Sequence, residues 1–303
     1  MTDFSSGAGW VGGEFVPIGE AKIGVTDWGV THSDITYDVV PVWNGRFFRL
    51  DDYLDRFERS MARLRLSVPE DRATLHAALH KMVALTGIKD AYCAMVASRG
   101  SPLIPGTRDP RKCGNHLFGW TVPFVNVIPL DVQARGAKVR LAETVERIPD
   151  TAVDHTIKNY HWGDFTAGLF EAYDNGADTT LLADRDGNIT EGPGFNAFII
   201  KGNNVATPDR HCLKGITRRT TLELAEEHGM SVAERTIPKE EMFEADEVFL
   251  TTSGGGVIPV ARVNERVFSN DAPGPVTMQL REAYFARRKD PAYTEAVDYG
   301  AVH

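Results

Sequence analysis

Residues 35–64 read ITYDVVPVWNGRFFRLDDYLDRFERSMARL, and this stretch decides the class of fold. The segment ITYDVVPVW is rich in β-branched and aromatic residues. It ends at Asn44-Gly45, the dipeptide preferred in type I′ hairpin turns, before RFFRL. Beyond the turn, apolar residues recur at steps of four and three, as in an amphipathic helix: Leu50, Leu54, Phe57, Met61 and Leu64. A hairpin followed by a helix predicts a mixed α/β protein with antiparallel sheet.

Similar patterns continue on both sides of this stretch. The segments GEFVPI, KIGVTDW, AYCAMVAS and HLFGWTVPFVNV predict strands, and GAGWVGG is expected to be a flexible lead-in. A helix is predicted from about Ala73 to Gly87. Further along, TTLLAD, FNAFII and VATP predict an antiparallel meander. A helix over Thr217–His228, strands at SVAERT and EVFLTT, and a final helix over Pro275–Arg288 are predicted after it.

The length indicates two domains, because 303 residues is about twice the usual 150. The stretch from Ile128 to Gly136 contains Pro129 and is polar before KVRLAET begins. We therefore predict a smaller N-terminal domain over 1–128, a linker over 129–136 and a larger C-terminal domain over 137–303.

Composition excludes several classes of function. Lys and Arg total 33 against 42 Asp and Glu, a net charge of −9, which argues against nucleic-acid binding. The sequence contains no long apolar run and no secretory leader, so neither a membrane span nor export is expected. Three sparse cysteines indicate reduced thiols rather than a disulfide framework. These features predict a cytoplasmic protein that acts on small molecules.

Two histidines, His76 and His80, are spaced i, i+4 in HAALH, the spacing used by zinc proteases. Those enzymes need a glutamate between the histidines as a base, and here the intervening residues are Ala-Ala-Leu. We therefore predict surface histidines and no metal site.

Two stretches carry single charged residues in unusual settings. Lys158 lies among aromatic residues in DHTIKNYHWGDF, where desolvation would favour a neutral, nucleophilic amine; alternatively its side chain reaches solvent. Glu191 precedes Gly192-Pro193-Gly194, which would let a ligand approach the backbone; alternatively it is a simple turn carboxylate.

Two loops are suited to bind a phosphate. Gly215 leads into a helix at Ile216-Thr217, where free amides favour an anion. Thr252 and Ser253 precede three glycines and would supply hydroxyls and amides. A lysine for a Schiff base, an acid for a pyridine nitrogen and cradles for a phosphate are together what pyridoxal 5′-phosphate requires.

The order of these pieces resembles the branched-chain aminotransferase-like family, the fold-type-IV pyridoxal phosphate enzymes, and most closely its (R)-selective amine transaminases. The resemblance rests on HSDITYDVVPVWNGRFFRLDDYLDR, IKNYHWGD, LLADRDGNITEGPGFN, KGITRRT and EADEVFLTTSGGGVIP. It implies a two-domain α/β architecture like that of D-amino acid aminotransferase, a cofactor between the domains and a homodimer.

The resemblance also implies residue roles. Lys158 would be the catalytic Schiff-base lysine, and Glu191 would contact the pyridine nitrogen. The other expected cofactor contacts are Arg56, Trp162, Ile216, Thr217, Thr252 and Ser253. The expected substrate contacts are His32, Tyr37 and Val39, together with Arg108, which would pair with the carboxylate of a keto acid.

Two departures narrow the expected subgroup. Branched-chain aminotransferases carry a tyrosine five residues after the lysine, where this chain has Gly163, and SRGSPLIP lacks the Arg-x-His of D-amino acid transaminases. We therefore predict a transaminase that moves an amino group from an (R)-amine to a keto acid such as pyruvate. The alternatives are a branched-chain or D-amino acid aminotransferase, an aminodeoxychorismate-lyase-like enzyme, and a non-catalytic small-ligand binder on the same fold.

Overall fold

The structure is a computed structural model that describes residues 2–300. Its helices are α1 (Trp28–Thr31), α2 (Leu50–Leu64), α3 (Arg72–Thr86), α4 (Leu130–Arg135), α5 (Gly163–Asp174), α6 (Ile216–Glu227), α7 (Lys239–Glu244) and α8 (Pro275–Arg287). Its strands are β1 (Ala8–Val11), β2 (Glu14–Pro17), β3 (Ile35–Trp43), β4 (Arg46–Phe48), β5 (Ala91–Ser98), β6 (His116–Pro123), β7 (Ala137–Glu146), β8 (Thr179–Ala183), β9 (Glu191–Gly192), β10 (Phe195–Lys201), β11 (Asn204–Thr207), β12 (Ser231–Glu234), β13 (Glu247–Thr252), β14 (Gly256–Val263), β15 (Arg266–Val267) and β16 (Thr294–Ala296). Helices and antiparallel strands thus form the expected mixed α/β fold.

The chain divides into two compact units. The first contains the residues up to Val125, Ile157–Tyr160 and the residues from Asp290 onward, and the second contains Asn126–Thr156 and His161–Lys289. This division differs from the expected boundaries at 128, 129–136 and 137. Residues 129–136 hold α4 rather than a linker, and the C-terminal residues join the first unit because β16 pairs with β4. Residues 1 and 301–303 of the predicted domains lie outside the described residues.

The first unit is built on a seven-stranded antiparallel sheet in the order β16-β4-β3-β5-β6-β1-β2. The long strands β3 and β5 pair from Ile35↔Ser98 to Val42↔Ala91. Helix α2 packs on β3 through the N-terminal part of its apolar stripe, where Leu54 and Phe57 are fully buried. One face of β3 is therefore covered by α2.

The predicted hairpin and helix are confirmed in this unit. Asn44 and Gly45 have φ values of 51° and 72°, the left-handed conformation that a type I′ turn requires at both central positions. Helix α3 begins after Asp71, whose carboxylate accepts from Thr74 N at 2.8 Å, and ends at Gly87 with φ 70°.

Two predictions near the N-terminus are wrong. GAGWVGG is not a flexible lead-in, because Ala8–Val11 pairs with both β2 and β6 and Trp10 is buried. KIGVTDW is not a strand, because Asp27 turns the chain into α1 and accepts from Gly29 N at 2.7 Å. The Asp27 side chain caps a helix here, and the backbone does not form the hydrogen bonds of a β-ladder.

The second unit is built on a nine-stranded mixed sheet whose main path is β12-β11-β10-β13-β14-β7-β8. The β10–β11 hairpin is confirmed, but the predicted meander is wrong at its first strand. Strand β8 pairs in parallel with β7, at the other end of this path. The apolar interior of the unit includes Leu181, Ala197, Leu250 and Ile258.

All three cysteines are buried and free of disulfides, as the sparse set indicates. Among the described residues, none of the helices combines the length and the apolar character needed to cross a bilayer.

Candidate active site

Lys158 is held through its backbone. Its carbonyl accepts from Tyr37 N at 3.1 Å and from Thr36 Oγ1 at 2.8 Å, and the next residue, Asn159, forms a bridge with Thr36. The segment Ile157–Tyr160 therefore lies beside β3, although Lys158 and Thr36 are 122 residues apart in sequence. This anchoring fixes the main chain of the lysine and leaves its four-carbon side chain to place the amine.

The amine of Lys158 lies beside an aromatic ring. Its Nζ lies 4.6 Å from the centroid of the Tyr37 ring, within the range of a cation–π contact. Tyr37 in turn stacks on Tyr160, with centroids 4.2 Å apart. Burial raises the pKa of nearby Tyr92 to about 12, although the charge of Lys158 opposes the shift, so this phenol is neutral at pH 7. The lysine is half-buried, and the ring nearest its amine among these comes from β3 rather than from the aromatic residues close to it in sequence.

The predicted substrate residues on β3 share one face of the strand. Tyr37 and Val39 alternate with Asp38 and pack with Ile35, Ala94 and Val96 in an apolar cluster. His32 is exposed at the end of α1, where its ring stacks on Trp28 at 4.5 Å, and it is not a member of this cluster. Of these three predicted contacts, Tyr37 and Val39 are therefore the pair that the first unit brings together.

Arg56 is buried on α2 and bound to Asp38. Its Nε donates to Asp38 Oδ2 at 2.8 Å, and its Nη2 donates to Oδ1 at 2.7 Å. Burial would lower the pKa of Arg56, but the charge of Asp38 raises it above its usual value.

Arg108 is exposed in the segment between Gly106 and the short 3₁₀ helix Pro110–Lys112. Within the described part of the chain, 2–300, its side chain has neither a hydrogen bond nor an ion pair. Arg99 is different: it donates to both oxygens of Asp34 and also to the carbonyls of Arg65 and Leu64.

Glu191 is buried in the second unit and receives a donor on each oxygen. Arg147 Nη2 donates to Oε1 at 3.0 Å, and Leu213 N donates to Oε2 at 2.9 Å. An ionised carboxylate accepts at both oxygens, whereas a protonated one carries a donor that would oppose one of these groups. The two partners thus favour the charged form and fix its orientation.

Arg147 links Glu191 to a second carboxylate. Its Nη1 donates to Asp164 Oδ2 at 2.6 Å, and its guanidinium lies 4.2 Å from the centroid of the Phe165 ring. Arg147 also borders a pocket of about 220 Å³ that His211 lines from another side. Nearby, burial first and then the charge of Arg147 lower the pKa of His155 to about 4, so its ring is neutral at pH 7.

The first phosphate loop begins at Gly215 and enters the twelve-residue helix α6. Among the described residues, no side chain caps this helix, so its first amides lack a partner of that kind. Thr217, the second residue of the helix, is buried, and its hydroxyl lies 3.4 Å from Tyr284 Oη. A Cβ on Gly215 would lie 2.3 Å from Asn196 Oδ1, so any other residue here would displace that side chain.

The second phosphate loop follows β13. Thr252 is buried at the end of the strand, and its hydroxyl accepts from Gly254 N at 3.2 Å. Ser253 is half-buried between them. Gly256 has φ 76°, and a Cβ there would lie 2.8 Å from the Tyr284 ring. The two predicted phosphate loops therefore both approach Tyr284.

Trp162 lies directly before α5 and contacts Phe165 edge-to-face, with centroids 5.5 Å apart. Its ring also faces Gly194, where a Cβ would lie 3.7 Å from Cη2. The Gly-Pro-Gly segment that follows Glu191 thus leaves space beside this indole.

The donor set of each unit fits pyridoxal phosphate. The first unit supplies a half-buried primary amine among aromatic rings. The second unit supplies a helix N-terminus without a side-chain cap beside a buried threonine, and a buried carboxylate that its two donors hold in the charged form. The helix N-terminus suits the phosphate, the carboxylate suits the protonated ring nitrogen, and the amine suits the aldehyde.

Comparison with known proteins identifies the family of this chain. The sequence model of the amino-transferase class IV family matches residues 36–263. A Methanocaldococcus jannaschii protein named putative branched-chain-amino-acid aminotransferase is 28% identical over 278 residues, which cover 91% of this chain and 94% of that protein. The D-alanine aminotransferase of Bacillus licheniformis is 27% identical over 275 residues, which cover 89% and 93%.

A solved structure has the same fold. The T.th. branched-chain amino acid aminotransferase complexed with N-(5'-phosphopyridoxyl)-L-glutamate matches with a TM-score of 0.88 and 24% identity, covering 98% of this chain and 100% of that one. This chain therefore belongs to the class IV aminotransferases, the fold-type-IV enzymes that use pyridoxal phosphate. The predicted family, fold class, cofactor and transaminase activity are confirmed, and substrates of the family are amino acids and keto acids.

Sequence reasoning missed the partners of the expected site residues. Arg147 and Asp164 orient Glu191, and Asp38 binds Arg56, and of these three Arg147 lies outside the motifs that carry the resemblance. The proximity of Asp164 to Lys158 and Trp162 in sequence was the one signal that could have identified it.

Proposed function

We propose that the protein transfers an amino group from an (R)-amine to a keto acid such as pyruvate. The observation that carries this proposal is the state of three arginines in the first unit. Arg56 and Arg99 are bound to Asp38 and Asp34, whereas Arg108 is exposed and has no ion pair among the described residues. A donor without a carboxylate needs no fixed arginine to bind it, so an arginine on an exposed loop, outside the apolar cluster, suits such a donor.

The apolar face of β3 supports the same assignment. Tyr37, Val39 and the residues packed with them offer an apolar surface beside the segment that carries Lys158. Holding an unpaired guanidinium against an apolar substituent would be costly, so a cation on an exposed loop is better suited to a pocket that takes both substrates. The preference for the (R)-enantiomer rests on the sequence resemblance.

The proposed roles rest on the sequence resemblance and on the contacts of each residue. When bound, pyridoxal phosphate supplies an electron sink for bond breaking at the amine-bearing carbon. Lys158, anchored through its carbonyl, would hold the cofactor covalently and, once released, move the proton to and from that carbon. Glu191 would keep the ring nitrogen protonated, with Arg147 and Leu213 N holding its carboxylate in place. The phosphate would be held by Arg56, Thr217 and Thr252 with neighbouring amides.

A second candidate activity is supported by the relatives. Proteins named as branched-chain and D-alanine aminotransferases align with most of this chain. Under this alternative the donor carries a carboxylate, and both half-reactions need a group that binds it.

The experiment compares the two half-reactions in single turnovers. Donors are (R)- and (S)-1-phenylethylamine, L-valine and D-alanine, and pyruvate is the acceptor. We expect (R)-1-phenylethylamine to react faster than its enantiomer and faster than either amino acid. A preference for L-valine or D-alanine would contradict the proposal and support the second candidate.

The variant Arg108→Ala sharpens this test. Loss of a charge-assisted contact should lower kcat/KM for pyruvate by roughly 30- to 1000-fold, about 2–4 kcal/mol, and leave the amine half-reaction nearly unchanged. The matched control is Arg111→Ala in the same loop, because Arg111 is exposed and paired with Asp109. Equal damage to both half-reactions would make Arg108 structural, and damage to neither would place the carboxylate site elsewhere.

A further inference from the structure

His76, His80 and Glu295 form a compact cluster in the first unit. The two histidines lie one turn apart on α3, and the glutamate lies on β16 near the end of the chain. His76 Nε2 lies 3.0 Å from Glu295 Oε1, and His80 Nε2 lies 3.3 Å from the same oxygen. The two imidazole rings stack with centroids 4.6 Å apart. Three side chains from two distant segments thus direct their donor atoms to one point.

An ordinary histidine–glutamate pair explains only part of this arrangement. His76 Nε2 forms a hydrogen bond with Glu295 Oε2 at 3.1 Å. His80 Nε2 is buried and makes no hydrogen bond within the described part of the chain, although Oε1 is only 3.3 Å away. A buried polar atom without a partner costs free energy, so most such atoms in proteins are satisfied by protein, water or an ion.

The spacing of the donor atoms matches that of a metal site. Zinc binds nitrogen and carboxylate ligands at about 2.0–2.2 Å in a tetrahedron, which puts neighbouring ligand atoms roughly 3.3–3.6 Å apart. The observed separations from Oε1 are 3.0 and 3.3 Å, and all three donor atoms lie within 4.8 Å of one another. Small side-chain rotations would therefore open the cluster around an ion.

We propose that His76, His80 and Glu295 bind one divalent first-row transition metal ion, with zinc as the reference ion. Two imidazoles and one carboxylate are ligands of the kind that zinc takes, and solvent would complete its coordination. The site is reachable, because Glu295 is exposed and His76 is half-buried. The sequence-based prediction of surface histidines without a metal considered the helix alone and could not include Glu295.

The expected consequence is structural. Strand β16 is the edge strand of the first sheet, and in the described sheet its one neighbour is β4, through Thr294↔Phe48 to Ala296↔Arg46. A metal shared by Glu295 and α3 would attach this short strand to a helix as well. Since an ion that binds only the folded state stabilises it, binding should raise the melting temperature.

The experiment uses the untagged holoenzyme after removal of adventitious metal with a chelator. Zinc chloride is titrated by calorimetry, bound metal is measured after dialysis, and the melting temperature is recorded with and without zinc. The variants are His76→Gln, His80→Gln and Glu295→Gln, of which Glu295→Gln alters an exposed side chain and should fold normally. The control is His228→Gln, because His228 lies at the end of α6 with Nδ1 close to Leu224 O.

We expect one zinc ion per chain and a rise in melting temperature of about 3–5 °C at a hundredfold excess over the dissociation constant. Each cluster variant should weaken binding by at least about tenfold, since loss of even an outer partner of a ligand costs that much. His228→Gln should bind as the wild type does. Absence of binding below about 1 mM zinc, or equal binding by wild type and all three cluster variants, would overturn the proposal.

Discussion

The surroundings of Lys158 and of Glu191 differ in how they hold a charged side chain. Lys158 is fixed through its backbone carbonyl, and its amine lies beside a tyrosine ring with neutral aromatic neighbours. Glu191 is fixed through its carboxylate, which receives Arg147 on one oxygen and a backbone amide on the other.

This difference matches the two chemical tasks. A lysine that must form and break a covalent bond needs a fixed backbone and a side-chain amine that can move. A carboxylate that must stay charged next to a ring nitrogen needs fixed oxygens and permanent donors. Preorganised charge costs no rearrangement during the reaction, which makes it effective in catalysis.

The largest expected loss of activity follows from removing the amine of Lys158. In Lys158→Ala the nucleophile and the proton carrier are lost together, so we expect steady-state transamination to fall by about 10³-fold or more. Circular dichroism and the melting temperature should stay close to those of the wild type, because the backbone bonds of residue 158 remain.

The control for this variant is Lys201→Ala, which removes an exposed lysine on β10 and should retain full activity. Residual activity of Lys158→Ala above about one percent of the wild type would contradict the assignment, since covalent catalysis is worth more than that.

A smaller loss is expected when the fixed charge is removed. In Glu191→Gln the amide nitrogen would face a donor, either Arg147 Nη2 or Leu213 N, and the side chain could no longer keep a ring nitrogen protonated. We expect turnover to fall by about 10²–10³-fold, with cofactor still bound by its phosphate and by Lys158. Stopped-flow rates and cofactor absorbance measure the two properties separately.

Activity of Glu191→Gln within a few-fold of the wild type would show that another acid performs this task. Loss of bound cofactor together with activity would show that Glu191 acts mainly in binding.

The smallest expected effect concerns the buried histidine near Arg147. His155 has a pKa of about 4 against 6.5 in the unfolded chain, so the unfolded state binds more protons between these values. Stability should therefore fall as the pH drops from 6.5 to 4. His155→Leu removes this group, and the difference in melting temperature between variant and wild type should change across that window.

A constant difference from about pH 7 to about pH 4 would contradict the buried, neutral state of His155. His228→Gln serves as the control, since His228 lies at the end of α6 with Nδ1 close to Leu224 O.

Local elements were predictable because their causes are local. The β3–β4 hairpin and α2 depend on neighbouring residues, namely Asn44-Gly45 and an apolar stripe of regular spacing. The sequence pattern does not predict helix α5, because two of its three buried residues are small and two of its aromatic residues are exposed. Gly168 and Ala172 face the sheet, whereas Phe170 and Tyr173 are 66% and 57% exposed.

The site was predictable in its reactive residues and not in their partners. Lys158 and Glu191 stand in distinctive motifs. The contact between Arg147 and Glu191 spans 44 residues, and the arginine has no distinguishing neighbours in sequence. The same holds for Glu295, which reaches His76 across 219 residues. Long-range pairs of charged residues depend on sheet topology, and the sequence pattern does not specify it.

The most direct test of the account is to locate the cofactor on the chain. Reduction of the holoenzyme with borohydride fixes the cofactor carbon to its lysine as a stable secondary amine, and peptide mass spectrometry then identifies the modified residue. We predict modification of Lys158 alone, at close to one per chain, with loss of activity in proportion. Modification of a different lysine, or none in an active holoenzyme, would contradict the account.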